Sequence, residues 1–516
     1  MPKVIKIYGP PGTGKTTTLI SMLKNVLESG VQPIRVAYIT HTVAACEEAK
    51  TRVVDDLGLA KNQMKWFRTI HSTCCGMAGI TRNESLSRQD YRDFERDTGY
   101  TLKGAVGDDV ESSEVETYDI VIMADQIAKG SGVPLREVTS QIKFSPKLTN
   151  PELFLEAYHQ WKKDHGKLDF TDMLLEYANG DYPAGPVDVV FVDEAQDLSK
   201  LQWSIVNKLS ADADTLYLAG DDDQAIYKFL GADEFGFLDY PSDEDVVLDY
   251  SFRVPKEIGE VADKIIQQVG RRKEKEVTWK APKAGEYRGD ITVYQKDPFY
   301  LPWKDWAASG EEVMVLTRHV RQGREVSRQL SAQHIPHTLK GKCLATEPMG
   351  INIGTYLYMT RLAGKFRPAV VARMLKAIGD STQAKRIQDM GVSDRKIMIG
   401  QRDITFPETD DWPKLFSSDR YVLRDIQSLR DQVNEYGIEI IGKKPLIDVS
   451  TYHGSKGREA DTVVLYTDCY RQTDEDQRKK PDDERRVAYV GLTRARKNAI
   501  IISPQTNMYI RALVHI

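Results

Sequence analysis

Short apolar runs bounded by Gly, Pro and polar turns alternate with longer stretches of helical periodicity along most of the 516 residues. The first run is Val4-Ile5-Lys6-Ile7-Tyr8. A turn rich in Gly, Pro and Thr separates it from an apolar-periodic helix predicted from about Lys15 to Leu27. A second run, Ile34 to Thr40, leads into another helical stretch. Strand, turn and helix in this alternation predict a parallel α/β sheet. From about Thr81 to Leu148 the pattern is polar and helical without strong β runs, which reads as a helical insertion. Sheet signals return at Val187–Val192 and Thr215–Ala219. A second α/β region begins near Val246, with strands predicted at Ile291–Tyr294, Val313–Thr317, Ile447–Thr451 and Thr462–Thr467. Between about Phe366 and Lys444 lies another mainly helical stretch. The expectation is an α/β protein with two parallel-sheet cores, each carrying a mainly helical insertion. Residues 1–80 and 165–245 form the first core around the insertion 81–164, and residues 246–365 and 445–516 form the second around the insertion 366–444.

Composition narrows the class without naming an activity. With 41% hydrophobic and 28% charged residues the chain has the balance of an ordinary soluble protein. No apolar run reaches the roughly 20 residues that a bilayer span needs, so no membrane partner is expected. The N-terminal residues are too short and too quickly interrupted for a secretory signal. Cys46, Cys74, Cys75, Cys343 and Cys469 form neither a CxxC pair nor a His/Cys cluster, so a zinc site and a disulfide framework are not expected, and a reducing, cytoplasmic setting fits best. A net charge of −5 decides nothing about nucleic acid, because an acidic enzyme can still line one groove with Lys and Arg.

The chemistry begins at Gly9-Pro10-Pro11-Gly12-Thr13-Gly14-Lys15-Thr16, which fits G-x-x-x-x-G-K-[ST] between a predicted strand and a predicted helix. Glycines there let backbone N–H groups wrap phosphates, and the helix start adds its positive end. Lys15 is placed to reach β- and γ-phosphates and Thr16 to hold Mg²⁺, with Thr17 following in the same turn. Val187-Asp188-Val189-Val190-Phe191-Val192-Asp193-Glu194 is an apolar strand ending in two carboxylates, at the kind of strand end where α/β folds bind ligands. Alone, such a pair is often a solvated turn. Beside a phosphate loop, Asp193 suits Mg²⁺ and Glu194 suits an attacking water.

Asp193-Glu194-Ala195-Gln196-Asp197, followed by Gly220-Asp221-Asp222-Asp223-Gln224-Ala225-Ile226-Tyr227, is more specific than a generic nucleotide site and resembles the UvrD/Rep type of superfamily 1 DNA helicases. Further segments match in the family's order: Thr69-Ile70-His71-Ser72, Leu168-Asp169-Phe170-Thr171-Asp172, Tyr250-Ser251-Phe252-Arg253, Thr451-Tyr452-His453-Gly454-Ser455-Lys456-Gly457-Arg458-Glu459 and Ala488-Tyr489-Val490-Gly491-Leu492-Thr493-Arg494-Ala495-Arg496. The resemblance implies two RecA-like cores with ATP in the cleft between them. By motif position Gln224 is the γ-phosphate sensor, Arg253 and Arg494 are the arginines reaching in from the second core, Phe252 stacks on adenine, and Gly457 and Glu459 lie at the ribose. Phosphoryl transfer spreads charge over the γ-oxygens, and a donated guanidinium stabilises it by about 10³–10⁵ in rate.

For nucleic acid, the resemblance implies His41, His71, Ser72 and His453 as groove-lining residues, His41 where the family often has an aromatic side chain. Tyr227 and Phe229 follow Gln224, with Phe229 as a base-stacking platform. The alternative is that both rings are core residues. Stacking of this kind is worth roughly 1–3 kcal/mol per base and tolerates any sequence. Arg271-Arg272-Lys273 reads as a solvated turn in preference to a phosphate track.

Two departures from the family shape the expectations. The glutamine-containing segment that reads the adenine edge has no counterpart ahead of the first strand, which leaves nucleotide selectivity open. The second insertion is short, which points to strand separation that is weaker or depends on a protein partner. The expected activity is ATP- and Mg²⁺-dependent translocation on single-stranded DNA and unwinding of tailed duplex DNA, 3′-to-5′. A DNA-stimulated ATPase that remodels protein–DNA complexes without unwinding, and an RNA helicase, stand as alternatives.

Overall fold

The computed structural model describes residues 1–40, 43–102, 117–141, 150–280, 289–393, 397–406, 411–417 and 423–514. Its first sheet contains β1 (Lys3–Tyr8), β2 (Val36–Thr40), β3 (Trp66–Thr69), β4 (Val189–Val192), β5 (Thr215–Gly220) and β6 (Glu244–Val247) in the order β3-β2-β4-β5-β1-β6, and every pair is parallel. Every residue of β2 and β4 is buried. Side chains alternate between two cores. Val36, Tyr38, Val189 and Phe191 pack with Leu19, Ile20 and Leu23 of the helix Lys15–Glu28, whereas Ala37, Ile39, Val190 and Val192 pack with Leu174, Ile205 and Val206. A sheet covered on both faces needs apolar residues at every position, which is why its central strands read as continuous apolar runs.

β6 is an edge strand. Its Glu244 and Asp245 are exposed, while Val246 and Val247 pair with Ile7 and Tyr8. Those two valines, read from sequence as the start of the second region, therefore belong to the first sheet. Next come β7 (Tyr250–Pro255) and β8 (Thr278–Lys280), which form a small parallel pair.

The second sheet contains β9 (Asp290–Tyr294), β10 (Val313–Thr317), β11 (His337–Leu339), β12 (Ile447–Thr451), β13 (Ala460–Tyr466) and β14 (Ala495–Ile502) in the order β11-β12-β10-β13-β14-β9. β10 lies parallel to both β12 and β13, and β11 parallel to β12. Val313, Val315, Ile447, Val449 and Val464 share a core with Trp303, Val326 and Leu330. The two sheets with their helices are RecA-like α/β cores, and among the described residues the helical stretches that interrupt them add no strand to either sheet. The first stretch, with helices Arg88–Thr98, Thr117–Ser131, Leu135–Gln141 and Pro151–Asp164, has a core built on Phe94, Val121, Phe154, Tyr158 and Trp161. The second, with helices Pro348–Leu362, Pro368–Ala377, Ser381–Ser393, Trp412–Phe416 and Leu423–Tyr436, packs around Leu357, Met359, Leu375, Ile387 and Leu429.

By contact the chain forms two compact units. One comprises Met1–Asp290, Tyr470–Lys497 and Ile510–Ile516, the other Ile291–Cys469 and Asn498–Tyr509. Residues 246–290 and 470–497, expected from sequence with the second core, fall in the first unit by this measure. None of the described helices is long and apolar enough to cross a membrane.

Candidate nucleotide and nucleic-acid sites

The loop after β1 is shaped by its glycines. Gly12 and Gly14 have φ of 76° and 82°, in the left-handed region that favours glycine. A Cβ on Gly9 would meet Lys15 Cγ at 1.9 Å, and one on Gly12 would meet Arg253 Cβ at 2.5 Å. Pro10 O accepts from both Thr13 N at 3.2 Å and Thr13 Oγ1 at 2.8 Å, which closes the turn. Gly9 N donates to Gly220 O at 3.0 Å, so the loop is hung from the end of β5. Gly14 then caps the helix that begins at Lys15. Lys15 Nζ donates to Gly9 O at 2.9 Å across the loop and stands 3.9 Å from Glu194 Oε1.

At the end of β4 the two carboxylates part company. Asp193 is buried, accepts from Thr16 Oγ1 at 3.0 Å and from Glu194 N at 2.9 Å, and has the Tyr38 hydroxyl 3.5 Å away. Burial first, and the Glu194 charge second, push its pKa up to about 6, while Lys15 and the Thr16 hydroxyl pull it down. A buried carboxylate and a hydroxyl held 3.0 Å apart beside a phosphate-shaped loop form a hard oxygen donor set that suits Mg²⁺, and a cation there would favour the ionised carboxylate. Glu194 adopts φ 54°, unusual for a residue with a Cβ, and its Oε2 accepts from Gln196 Nε2 at 2.6 Å.

Gln196 was not singled out by the sequence reading, although it lies inside the quoted D-E-A-Q-D run. Its other amide atom, Oε1, accepts from Asp221 N at 3.0 Å and so joins the end of β4 to the end of β5. Asp221 Oδ2 accepts from Gln224 Nε2 at 2.7 Å, and Gln224 Oε1 accepts from Arg494 Nη2 at 2.8 Å. Arg494, only 2% exposed, also donates from Nε to Val490 O at 2.8 Å. Arg253 lies against the other side of the phosphate loop. Phe252 N donates to Gly12 O at 2.9 Å and Ser251 Oγ to Pro11 O at 2.8 Å, so β7 is stitched onto the loop. Phe252 leaves 69% of its surface exposed, with the Tyr250 ring 4.8 Å away edge-on. Lys15, Thr16, Asp193, Glu194, Gln224, Arg253 and Arg494 thus converge within one compact unit.

Behind this cluster stands a buried ion group that sequence reasoning missed. Lys275, 1% exposed by its side chain, lies 2.7, 2.6 and 2.9 Å from carboxylate oxygens of Asp221, Asp222 and Asp223. Arg272 grips both oxygens of Asp223, at 2.8 and 2.6 Å. The three aspartates raise the Lys275 pKa against the opposing effect of burial. The run Arg271-Arg272-Lys273 is therefore not simply a solvated turn, because Arg272 is a buried partner, Arg271 pairs with Asp239 and Lys273 with Asp245.

The groove candidates divide. Phe229 is 47% exposed and Tyr227 half-buried, with ring centroids 6.4 Å apart, so Phe229 is not a core residue. Ser72 is exposed at the start of the helix Ile70–Ala78, where its N–H donates to Thr69 Oγ1 at 3.3 Å. The His71 ring meets the exposed ring of Phe170 edge-on at 5.3 Å. His41 lies outside the described residues. In the second unit His453 is buried, and burial followed by the charge of Arg318 holds its pKa well below the usual histidine value. Gly457 there has φ 75°, and Glu459 is exposed.

Comparison with known proteins gives a consistent result. The UvrD/REP helicase N-terminal domain matches residues 2–245, and the UvrD-like helicase C-terminal domain matches residues 420–506. The ATP-dependent DNA helicase PcrA of Staphylococcus epidermidis is 26% identical over 363 residues, 65% of this chain and 48% of the relative. PcrA of Staphylococcus aureus is 25% identical over 363 residues, with the same coverage. The chain spans about half the length of the curated relatives it matches.

Proposed function

Since the chain belongs to the UvrD/Rep-type superfamily 1 helicases, we propose that it hydrolyses ATP to move along single-stranded DNA, 3′-to-5′, and to unwind tailed duplex DNA. The observation that carries the reading is the continuous hydrogen-bonded path Thr16–Asp193–Glu194–Gln196–Asp221–Gln224–Arg494, in which Gln224 stands three residues before the half-buried Tyr227 and five before the exposed Phe229.

In this reading the amides of Gly12 and Gly14 and of the first helical turn at Lys15, Thr16 and Thr17 cradle the phosphates, in a loop whose shape Gly9, Pro10 and Thr13 fix. Lys15 leaves Gly9 O for the β- and γ-oxygens. Thr16 and Asp193 hold Mg²⁺, which when bound supplies charge neutralisation at the transferring phosphoryl group. Glu194, held by Gln196, accepts the proton of the attacking water. Gln224 answers to the γ-phosphate, and Arg253 and Arg494 stabilise the charge that develops on its oxygens. Phe252 offers its open face to the adenine. Along the strand, Phe229 and Tyr227 stack on bases, while His71 and Ser72 contact the backbone.

The test is ATP turnover by the full chain with and without oligodeoxynucleotide, followed by unwinding of duplexes tailed at 3′ or at 5′. Turnover stimulated by single strands and unwinding from the 3′ tail are the expected results. Preference for the 5′ tail would remove the polarity, and stimulation without strand separation would favour the remodelling ATPase. Stronger competition by RNA than by matched DNA would favour an RNA substrate.

A further inference from the structure

The helix Pro481–Leu492 and the residues just past it reach the Gln224–Glu234 stretch through Arg494, through Arg486 and, more loosely, through Asp483, whose Oδ1 lies 3.9 Å from Lys228 Nζ, and only the first belongs to the path above. Just past its C-terminal end, Arg494 holds Gln224. From its middle, Arg486 donates through Nη1 to Glu234 Oε1 at 3.0 Å and through Nη2 to Arg271 O at 3.1 Å. The second oxygen of Glu234, Oε2, pairs with Lys228 Nζ. Lys228 stands between Tyr227 and Phe229, so one carboxylate, each oxygen on a different cation, links the helix to the turn that bears the rings.

Burial gives the arrangement its force. Arg486 is 2% exposed and the Glu234 side chain 15%. A guanidinium that deep is held in place by its partners, because any displacement strands a charge away from water. The backbone of the turn is itself compact. Leu230 N and Ala232 N both donate to Tyr227 O, at 2.9 and 3.3 Å, and Asp233 N donates to Leu198 O at 2.9 Å. A rigid turn pinned at Glu234 moves as a body with what pins it.

We propose that Glu234 and Arg486 are positioning residues that tie the Tyr227–Phe229 turn to the helix carrying Arg494, so that the guanidinium at Gln224 and the base-facing rings shift together. This rests on the reading that Gln224 and Arg494 serve ATP turnover and that Phe229 stacks on bases. Neither positioning residue touches nucleotide or base, so their loss uncouples the two sites while leaving each one formed.

The experiment uses the full chain, an oligodeoxythymidine carrying a single 2-aminopurine, and a non-hydrolysable ATP analogue. Stacking quenches the 2-aminopurine, so its fluorescence reports the ring contact. In the unaltered protein the analogue changes the quench, and Phe229→Ala abolishes it. Glu234→Gln is expected to keep unstimulated turnover and the KM for ATP, to lose the analogue-dependent change in quench, and to reduce oligonucleotide stimulation by about five- to tenfold, the size of a coupling within one ion-pair network. Lys228→Met cuts the link from its half-exposed end, where folding is not at stake, and should show the same loss, with Lys228→Arg restoring it. A Glu234→Gln or Lys228→Met protein whose quench still follows the analogue overturns the proposal alone. An unaltered protein whose oligonucleotide is not quenched, or whose quench ignores Phe229→Ala, overturns the stacking reading and the proposal with it.

Discussion

Glu194 stands at φ 54° with its carboxylate fixed by Gln196 and facing Lys15, whereas Asp193, its neighbour, is buried and bonded to Thr16. Backbone strain at a residue with a Cβ persists only where the surroundings impose it, and here it turns two adjacent carboxylates to different tasks. Glu194→Gln keeps the shape and removes the proposed base. Its turnover should fall by about 10²–10⁴ while equilibrium binding of a fluorescent ATP analogue stays near that of the unaltered protein. Lys15→Ala should lose both, since it removes the cation from the phosphate loop. Normal turnover in Glu194→Gln would dismiss it as the base. These residues were legible because they lie in unbroken motifs whose spacing carries the chemistry. Lys275 and Tyr38 were not, because each acts on a partner far away in sequence and nothing local marks it.

At the scale of elements, the turn after β5 depends on charges that arrive from beyond β7. Lys275 pairs with three aspartates at once, and Arg272 takes one of them bidentately. Lys275→Met should cost about 3–5 kcal/mol, because it leaves buried carboxylates without their cation. Urea unfolding followed by circular dichroism measures this, and a loss below 1 kcal/mol would mean that water reaches the site. The strands repeat the same lesson. β2, β4, β10 and β12 are buried along their whole length and announce themselves as apolar runs, but β3 and β11 are only four and three residues long and β6 has exposed acids on an edge, so their patterns fall below recognition. The sequence reading of Arg271–Lys273 as a solvated turn fits Arg271 and Lys273 and misses Arg272, for the reason that hid Lys275: an inward cation and an exposed one look alike until the acids facing them are known.

Across the whole molecule, the two sheets and the two helical stretches each have a core of their own. Among the described residues, the buried core of the second helical stretch is drawn from residues 345–433, with Leu344, Ile438, Ile440 and Ile441 packed against it from its flanks. Leu357→Ala, at a fully buried position in it, should therefore destabilise that stretch by about 2–5 kcal/mol. Hydrogen exchange should quicken over residues 345–433 and stay slow in β1 and β4, with oligonucleotide-free ATP turnover unchanged; acceleration throughout would show that the stretch does not fold as its own cooperative unit. The alternation of apolar runs and helical spans was enough to read two sheets and two insertions. It could not reveal that contacts draw residues 470–497 toward the phosphate-loop unit, because that depends on buried pairs between segments hundreds of positions apart.

That discontinuity bears on how the chain is made. A ribosome releases the phosphate loop hundreds of residues before Arg494, with the whole second sheet except β14 in between. A nascent chain stalled before residue 481 has Lys15, Asp193 and Glu194 but neither Arg486 nor Arg494. On the proposed roles, interrupted synthesis is expected to yield fragments that hold nucleotide and turn it over poorly, because the guanidinium of Arg494 is missing from them.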